Sequence, residues 1–257
     1  MWNEVYAWPQ QGDEWSEAWG GVSHQWWVTL FPRLQGYLPT GRILEIAPGY
    51  GRWTHYLKEL CDELVIVDIA ETAIAHCRQR FAADEHIHAY VNDGTSLAMV
   101  ADCSIDFAFT FDSLVHAEQD VMAGYLAEIS KKLTADGVAF LHHSNMGAYV
   151  RGTYDPTQIH WRAPSVSAAI VESFATQAGL SCVSQETIAW GNETLLTDCI
   201  SVITRAGSTW DRENVVVENL AFSTHEIAMA KRLSTQYPPS SRDVAFTASD
   251  RRGRLAA

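Results

Sequence analysis

The chain has 257 residues, 47% of them apolar, and a formal net charge of −13. That length holds one large domain or one domain with additions, and that composition can build a sizeable core. The acidic balance opposes nucleic acid or an anionic membrane surface as the main partner, because both need a basic face.

The opening "MWNEVYAWPQQGDEW" has neither a basic start nor an apolar run, so it does not read as a secretory signal. No window reaches the apolar length of a membrane span. The five cysteines, Cys61, Cys77, Cys103, Cys182 and Cys199, are odd in number and widely spaced, which disfavours a disulfide framework or a zinc knuckle. They read as buried thiols of a reduced, cytoplasmic protein.

Residues 13–38 place Trp15, Trp19, Val22, Trp26 and Leu30 at helical spacing, and Pro39 closes the segment. From residue 42 strands and helices alternate. "RILEIA" reads as a strand, and "GRWTHYLKEL" as a helix with Trp53, Tyr56, Leu57 and Leu60 on one side. "ELVIVD" is a strand, "ETAIAHCRQRF" a helix, and "HIHAYV" and "SIDFAFTFD" are strands. "VMAGYLAEISKKL" is a helix with Val121, Tyr125, Ile129 and Leu133 inward, "TADG" a turn, and "VAFLHH" a strand. Near-continuous apolar strands predict a parallel sheet covered on both faces, and the alternation predicts a doubly wound α/β domain. Ligands of such sheets sit outside the carboxyl ends of the strands.

After His143 the pattern breaks. Residues 146–164 hold two prolines and several aromatics, as a lid or binding loop would. "SVSAAIVESFATQAG" is a helix stopped by Gly179. "LSCVSQETIAW" and "TDCISVITR" are strands joined by "GNETLL". One more helix is expected around 213–233, and the polar tail "PPSSRDVAFTASDRRGRLAA" reads as mobile. There is no internal repeat. The expected organisation is an N-terminal helical cap over 1–40, a ligand-binding domain over 41–206, and a C-terminal extension over 207–257.

The stretch "ILEIAPGYGRWT" (43–54) has the shape of a phosphate-cradling loop. Gly49 and Gly51 fit the first two positions of G-x-G-x-x-G, but Thr54 stands at the third. Glu45, just before the loop, would repel a pyrophosphate and suits a ligand carrying a cationic amine and sulfonium. Asp68 ends the second strand, where an acid accepts hydrogen bonds from ribose hydroxyls. As plainer roles, Asp68 could cap the helix that follows, and Asp93 could start an Asp-Gly turn.

The order "EIAPGYG", "VD", "NDG" and "FDSLVH" resembles the class I S-adenosylmethionine-dependent methyltransferases, over roughly 40–205. Ala47 departs from the pattern, standing where a glycine is usual, and Val115-His116 stands where Glu-His or His-His is frequent. The resemblance implies a Rossmann-like, mostly parallel seven-stranded sheet with an N-terminal helix and a helical C-terminal extension. It implies S-adenosylmethionine as cofactor, held by Glu45, Ala47, Gly49, Gly51, Asp68, Ile69, Asp93, Gly94 and Phe111. Glu45 would orient the cationic end, Asp68 the ribose, and Asp93 the adenine amine.

Methyl transfer to a hydroxyl benefits from a general base, and histidine suits neutral pH. "LHHSN" puts His142 and His143 at the end of the fifth strand, on opposite faces. His143, nearer the edge, is the favoured base, then His142, then His116, which shares the fourth-strand rim with Asp112. The plainer role of Asp112 and His116 is to cap the next helix or to touch cofactor alone. Tyr149, Tyr154, His160, Trp161 and Trp190 suit stacking on sugars, or else pack the lid on its own domain. Whole phrases ("EIAPGYGRWT", "FDSLVHAE", "HHSNMGAY") also resemble bacterial sugar and polysaccharide O-methyltransferases, including actinobacterial methylmannose polysaccharide enzymes. That implies a sugar or oligosaccharide acceptor. The alternatives are an N- or O-methyltransferase for a non-sugar metabolite and a non-catalytic cofactor-binding module. A divalent metal such as magnesium would be held by Asp112, Glu193 and Asp198, though no spacing demands one. Homo-oligomerisation is left open.

Overall fold

The computed structural model describes residues 8–149, 162–191 and 194–237. The polar tail, the middle of the 146–164 stretch with Tyr154, His160 and Trp161, and Glu193 lie outside the described residues. Eight strands form one sheet: β1 (Thr40–Ile46), β2 (Cys61–Asp68), β3 (Ile87–Val91), β4 (Ile105–Thr110), β5 (Leu133–Ser144), β6 (Leu180–Ile188), β7 (Asp198–Arg205) and β8 (Val215–Asn219). Their order is β3-β2-β1-β4-β5-β7-β6-β8. Only β7 runs antiparallel to its neighbours. The helices are α1 (22–34), α2 (Thr54–Leu57), α3 (Glu71–Arg80), α4 (Gln119–Lys132), α5 (Ala168–Gln177) and α6 (Ala228–Gln236).

The strand period of two splits the core between the sheet's faces. Ile43, Phe107, Phe109 and Phe140 pack on one side with Trp26, Trp53 and Leu57. Leu44, Ile46, Ala108, Ala139 and Leu141 pack on the other with Leu126, Ile129 and Val171. Glu45, in step with Ile43, therefore enters the first face. The strand order reverses between β1 and β4, and the crevice at this reversal is where such sheets bind ligands.

The expected seven strands are eight, and two further expectations change. "TADG" is no separate turn but part of β5, whose register against β4 shifts between Ile105 and Phe107. Residues 213–233 are not one helix. Val215, Val216 and Val217 extend beside β6 as an eighth strand, and a π-helical turn (Phe222–Ile227) then runs into α6. Three consecutive β-branched residues favour a strand over a helix.

The N-terminal segment starts with a 3₁₀ helix (Asp13–Trp19) and breaks at Gly20 and Gly21, with φ of 88° and 116°, conformations open to glycine. It resumes as α1, which contains a π-helical stretch (Gln25–Leu30). Trp19, Trp26 and Leu30 are buried. Trp26 stacks on Tyr56 at 4.7 Å and on Trp53 at 6.2 Å. Arg33 fastens this cap to both the sheet and the C-terminal segment, with hydrogen bonds of 2.7 and 2.8 Å to Glu186 and of 3.0 and 2.9 Å to Glu226. Lys231 of α6 donates to the Glu17 carbonyl at 3.1 Å.

Arg33→Ala leaves Glu186 and Glu226 facing each other, mostly buried and without their cation. We expect a loss of about 2–4 kcal/mol in urea unfolding. A loss below about 0.5 kcal/mol would mean the pair behaves like solvent-exposed bridges and does not fasten the cap.

Candidate active site

The loop after β1 is built from left-handed turns. Ala47, Gly49 and Gly51 have φ of 56°, 56° and 87°. Ala47 meets the conformation a glycine would take freely, at a steric cost of roughly 1–2 kcal/mol. A Cβ on Gly51 would lie 2.5 Å from the Phe81 ring, so the third loop position allows close packing against α3. The Trp8 ring lies over Gly49, 3.0 Å from where a Cβ would stand, and stacks on Tyr50 at 4.6 Å.

Glu45 is 1% exposed. Its Oε2 accepts from the Thr54 hydroxyl at 2.5 Å, while Oε1 is buried with no hydrogen-bond partner. Burial pushes its pKa up to about 8; the Thr54 hydroxyl opposes this, Asp68 adds to it, and Arg52 and Arg80 oppose it from further off. A buried carboxyl with one unused oxygen is a seat for a cationic hydrogen-bond donor.

Asp68 accepts from the Gly49 N–H at 3.1 Å through Oδ2 and from the Ala70 N–H at 2.8 Å through Oδ1. Burial raises its pKa against those amides. It thus ties β2 to the loop and opens the following helix, with further lone pairs on each oxygen. Beyond it, Ile69 is 56% exposed and its Cδ1 lies 3.0 Å from where a Gly94 Cβ would stand. Ile69 and Gly94 so form an apolar, shallow step suited to a flat base. Asp93 Oδ1 accepts from the Thr95 and Ser96 N–H groups at 3.0 and 2.7 Å, and these amides lower its pKa. That is the turn-starting role.

Across the crevice, Asp112 follows β4 with a φ of 62°. Its Oδ2 accepts from Arg52 Nη2 at 3.0 Å, and Arg52 Nη1 donates to Ser16 of the cap at 3.3 Å. The Ser113 hydroxyl donates to the Ala47 carbonyl at 2.9 Å. Two consecutive residues after β4 therefore hold both ends of the β1 loop. His116 sits half-buried on the 3₁₀ turn that follows, Leu114–His116.

The histidines of β5 correct the expectation. His143, the favoured base, is fully buried; Nδ1 donates to the Ser144 carbonyl at 2.8 Å and Nε2 accepts from Ser201 at 2.8 Å. Burial lowers its pKa to about 4. It faces away from the Glu45 side, with both ring nitrogens spent. His142 is the one that reaches the rim, yet it too is fully buried. Its Nδ1 accepts from the Asp112 N–H at 3.0 Å and its Nε2 donates to Asp198 at 3.1 Å. Neither ring offers a lone pair to an acceptor hydroxyl.

Phe111 also lies inward, and Trp190 is half-buried. Phe111, 2% exposed, stacks on His142 at 4.5 Å and presents no surface to a cofactor. Trp190 packs on Trp19, His142 and Phe222 at 5.3, 5.0 and 5.7 Å, the packing role of the two open to it. Tyr149 is 40% exposed, and its hydroxyl accepts from the Leu196 N–H at 3.1 Å. Asp198 is fully buried and paired with Arg162 at 2.8 Å; burial pushes its pKa up, but Arg162 and His142 outweigh that and hold it below the usual carboxylate range. Its charge is thus already matched without a metal. Among the described residues no group of three or more acidic, histidine or cysteine side chains is placed to hold a metal ion. No helix there is long and apolar enough to cross a membrane.

Sequence reasoning missed Arg52, Ser113 and Arg162. Arg52 was visible beside Gly51 as a charge in an apolar run. Arg162 carried no signal, since its partner lies 36 positions away.

Residues 43–137 match the family model described as "Methyltransferase domain". No curated protein matches the chain. Among solved structures, a protein from Pyrococcus horikoshii OT3 is 21% identical, covers 69% of this chain and 88% of its own, and superposes with a TM-score of 0.54. An S-adenosylmethionine-dependent methyltransferase from Clostridium acetobutylicum is 13% identical, with coverage of 75% and 92% and a TM-score of 0.56. One from Methanosarcina mazei is 14% identical, with coverage of 68% and 98% and a TM-score of 0.53. At these identities the likeness is one of fold. Residues 43–137 therefore match a methyltransferase-domain model, within a sheet that has the α/β fold of S-adenosylmethionine-dependent methyltransferases.

Proposed function

We propose that this chain is an S-adenosylmethionine-dependent O-methyltransferase whose acceptor is a hydroxyl of a sugar, oligosaccharide or polysaccharide. The observation that carries the cofactor is the buried, half-unpaired carboxyl of Glu45 beside the glycine loop. Glu45 takes the ammonium end, Asp68 the ribose hydroxyls, and the Ile69–Gly94 step the adenine face. S-adenosylmethionine supplies a methyl carbon activated by a sulfonium; the protein aligns the acceptor and manages its proton. With His142 and His143 spent, His116 is the imidazole on the β4 rim that accepts that proton, beside Asp112. The acidic rim, together with the chain's charge of −13, favours a neutral, hydroxyl-rich acceptor over an anionic one. The same charge would draw an amine, so an N-methyl acceptor is the second reading.

Glu45 makes cofactor binding proton-linked. Its pKa in the ligand-free protein is about 8, above the ordinary carboxyl value, so near pH 6.5 the group is protonated and must lose that proton to hold a cation. Calorimetry with S-adenosylhomocysteine should show affinity rising by up to tenfold per pH unit toward about pH 8 and then levelling. Glu45→Gln should remove the slope. In the ligand-free protein the sign is opposite: the stability Glu45 contributes is fully present below its unfolded pKa near 4.5 and is lost as pH rises through about 8. A flat affinity profile in the native protein would sink the ammonium seat.

Two further substitutions test the roles. Asp68→Ala should weaken cofactor binding by about 1–3 kcal/mol, and unchanged affinity would remove the ribose assignment. In a screen of sugars and amines with labelled donor, His116→Ala should lose roughly 10²–10⁴ in rate on a hydroxyl acceptor while still binding cofactor. Near-native turnover in that variant would reject His116 as base, and transfer to amines alone would favour the second reading.

A further inference from the structure

A chain of polar contacts runs from the interior of β7 to the cofactor loop. Arg162 donates to Asp198 at 2.8 and 2.9 Å, both side chains buried. Asp198 accepts from His142 Nε2 at 3.1 Å, and His142 Nδ1 accepts from the Asp112 N–H at 3.0 Å. Asp112 then grips Arg52, while its neighbour Ser113 grips the Ala47 carbonyl. We propose that His142, with Asp198 and Arg162 behind it, is a positioning residue that fixes the Asp112–Ser113 clamp on the cofactor loop through the Asp112 backbone N–H.

Three observations support this assignment. Asp112 is a non-glycine residue at φ 62°, a conformation that persists only where its surroundings impose it. The imidazole supplies that constraint, because its only unprotonated nitrogen points at the Asp112 amide. The tautomer is set in turn by Asp198: a carboxylate accepts and never donates, so the ring proton stays on Nε2 and Nδ1 stays an acceptor. Third, a buried ion pair is a poor source of stability compared with apolar residues of the same volume. Arg162 keeps Asp198 ionised, and it is the ionised form that fixes the tautomer.

This inference rests on the proposed cofactor site, and one pair of variants separates the two. His142→Phe keeps a ring against Phe111 but gives the Asp112 N–H no acceptor. His142→Asn leaves a cavity but sets an amide oxygen near the former Nδ1. Both leave Asp198 paired with Arg162. Melting temperature should therefore rank Phe above Asn. Affinity for S-adenosylhomocysteine, measured by calorimetry well below both melting temperatures, should rank the other way, with the Phe variant about tenfold or more weaker than native and Asn closer to native. If affinity follows stability, or if both variants bind as the native protein does, His142 only fills space and the inference falls. If the native protein itself fails to bind S-adenosylhomocysteine, the cofactor site falls instead.

Discussion

The β1 loop is gripped at both ends by two consecutive residues of the neighbouring strand's exit. Asp112 holds Arg52 and Ser113 holds the Ala47 carbonyl, each across the point where the strand order reverses. The three left-handed residues of this loop keep one backbone bond to β2, from the Ala47 N–H to the Val67 carbonyl at 2.7 Å, and one turn bond, from the Gly51 N–H to the Pro48 carbonyl at 3.0 Å, so the side-chain holds add to a sparse backbone set. The clamp converts the crevice between β1 and β4 into a fixed surface. Asp68 adds a third hold through the Gly49 N–H, and Arg52 extends the hold to Ser16 of the cap. The β1 loop, the β2 and β4 exits and the N-terminal cap thus meet at one place, tied to one another by side-chain hydrogen bonds.

Three of the buried chargeable groups, Asp198, His143 and Glu45, differ in how they are matched. Asp198 has Arg162 and His142, so its oxygens are used and its charge is answered inside the protein. His143 is neutral and has both nitrogens bonded. Glu45 alone of the three has a buried oxygen with nothing against it. A native structure rarely tolerates such a group without a reason, because leaving it unpaired costs about 1–3 kcal/mol. The unmatched member lies beside the glycine loop and the matched ones lie behind it. That contrast is what supports the proposed ligand seat at Glu45.

Much of this was legible in the sequence, and the failures have physical causes. Strands, helices and the loop "EIAPGYG" follow from apolar period and from glycine spacing, and the four acids Glu45, Asp68, Asp93 and Asp112 come out on one end of the sheet as the strand endings imply. Alternation showed that His142 and His143 face opposite sides, but not which side holds the site, since that depends on whether Ile43 and Glu45 pair in phase with Phe140 across β4. Phe111 was implied as a cofactor contact by the family resemblance, yet Trp53 and His142 enclose it. The eighth strand was readable in Val215–Val217 and was hidden by the helical pattern just after it. Contacts such as Arg162–Asp198, between distant segments, leave no local trace.

The buried histidines also narrow what the site can do with a proton. A base needs an unshared lone pair at the moment the acceptor oxygen attacks, and a ring whose two nitrogens are both bonded would have to break one of those bonds first. For His142 the broken bond would be the one to Asp112, so acting as a base would release the clamp that holds the cofactor loop. Catalysis and positioning are then exclusive roles for one imidazole. Both β5 histidines are thereby committed to contacts within the protein, His142 to Asp112 and Asp198 and His143 to Ser144 and Ser201.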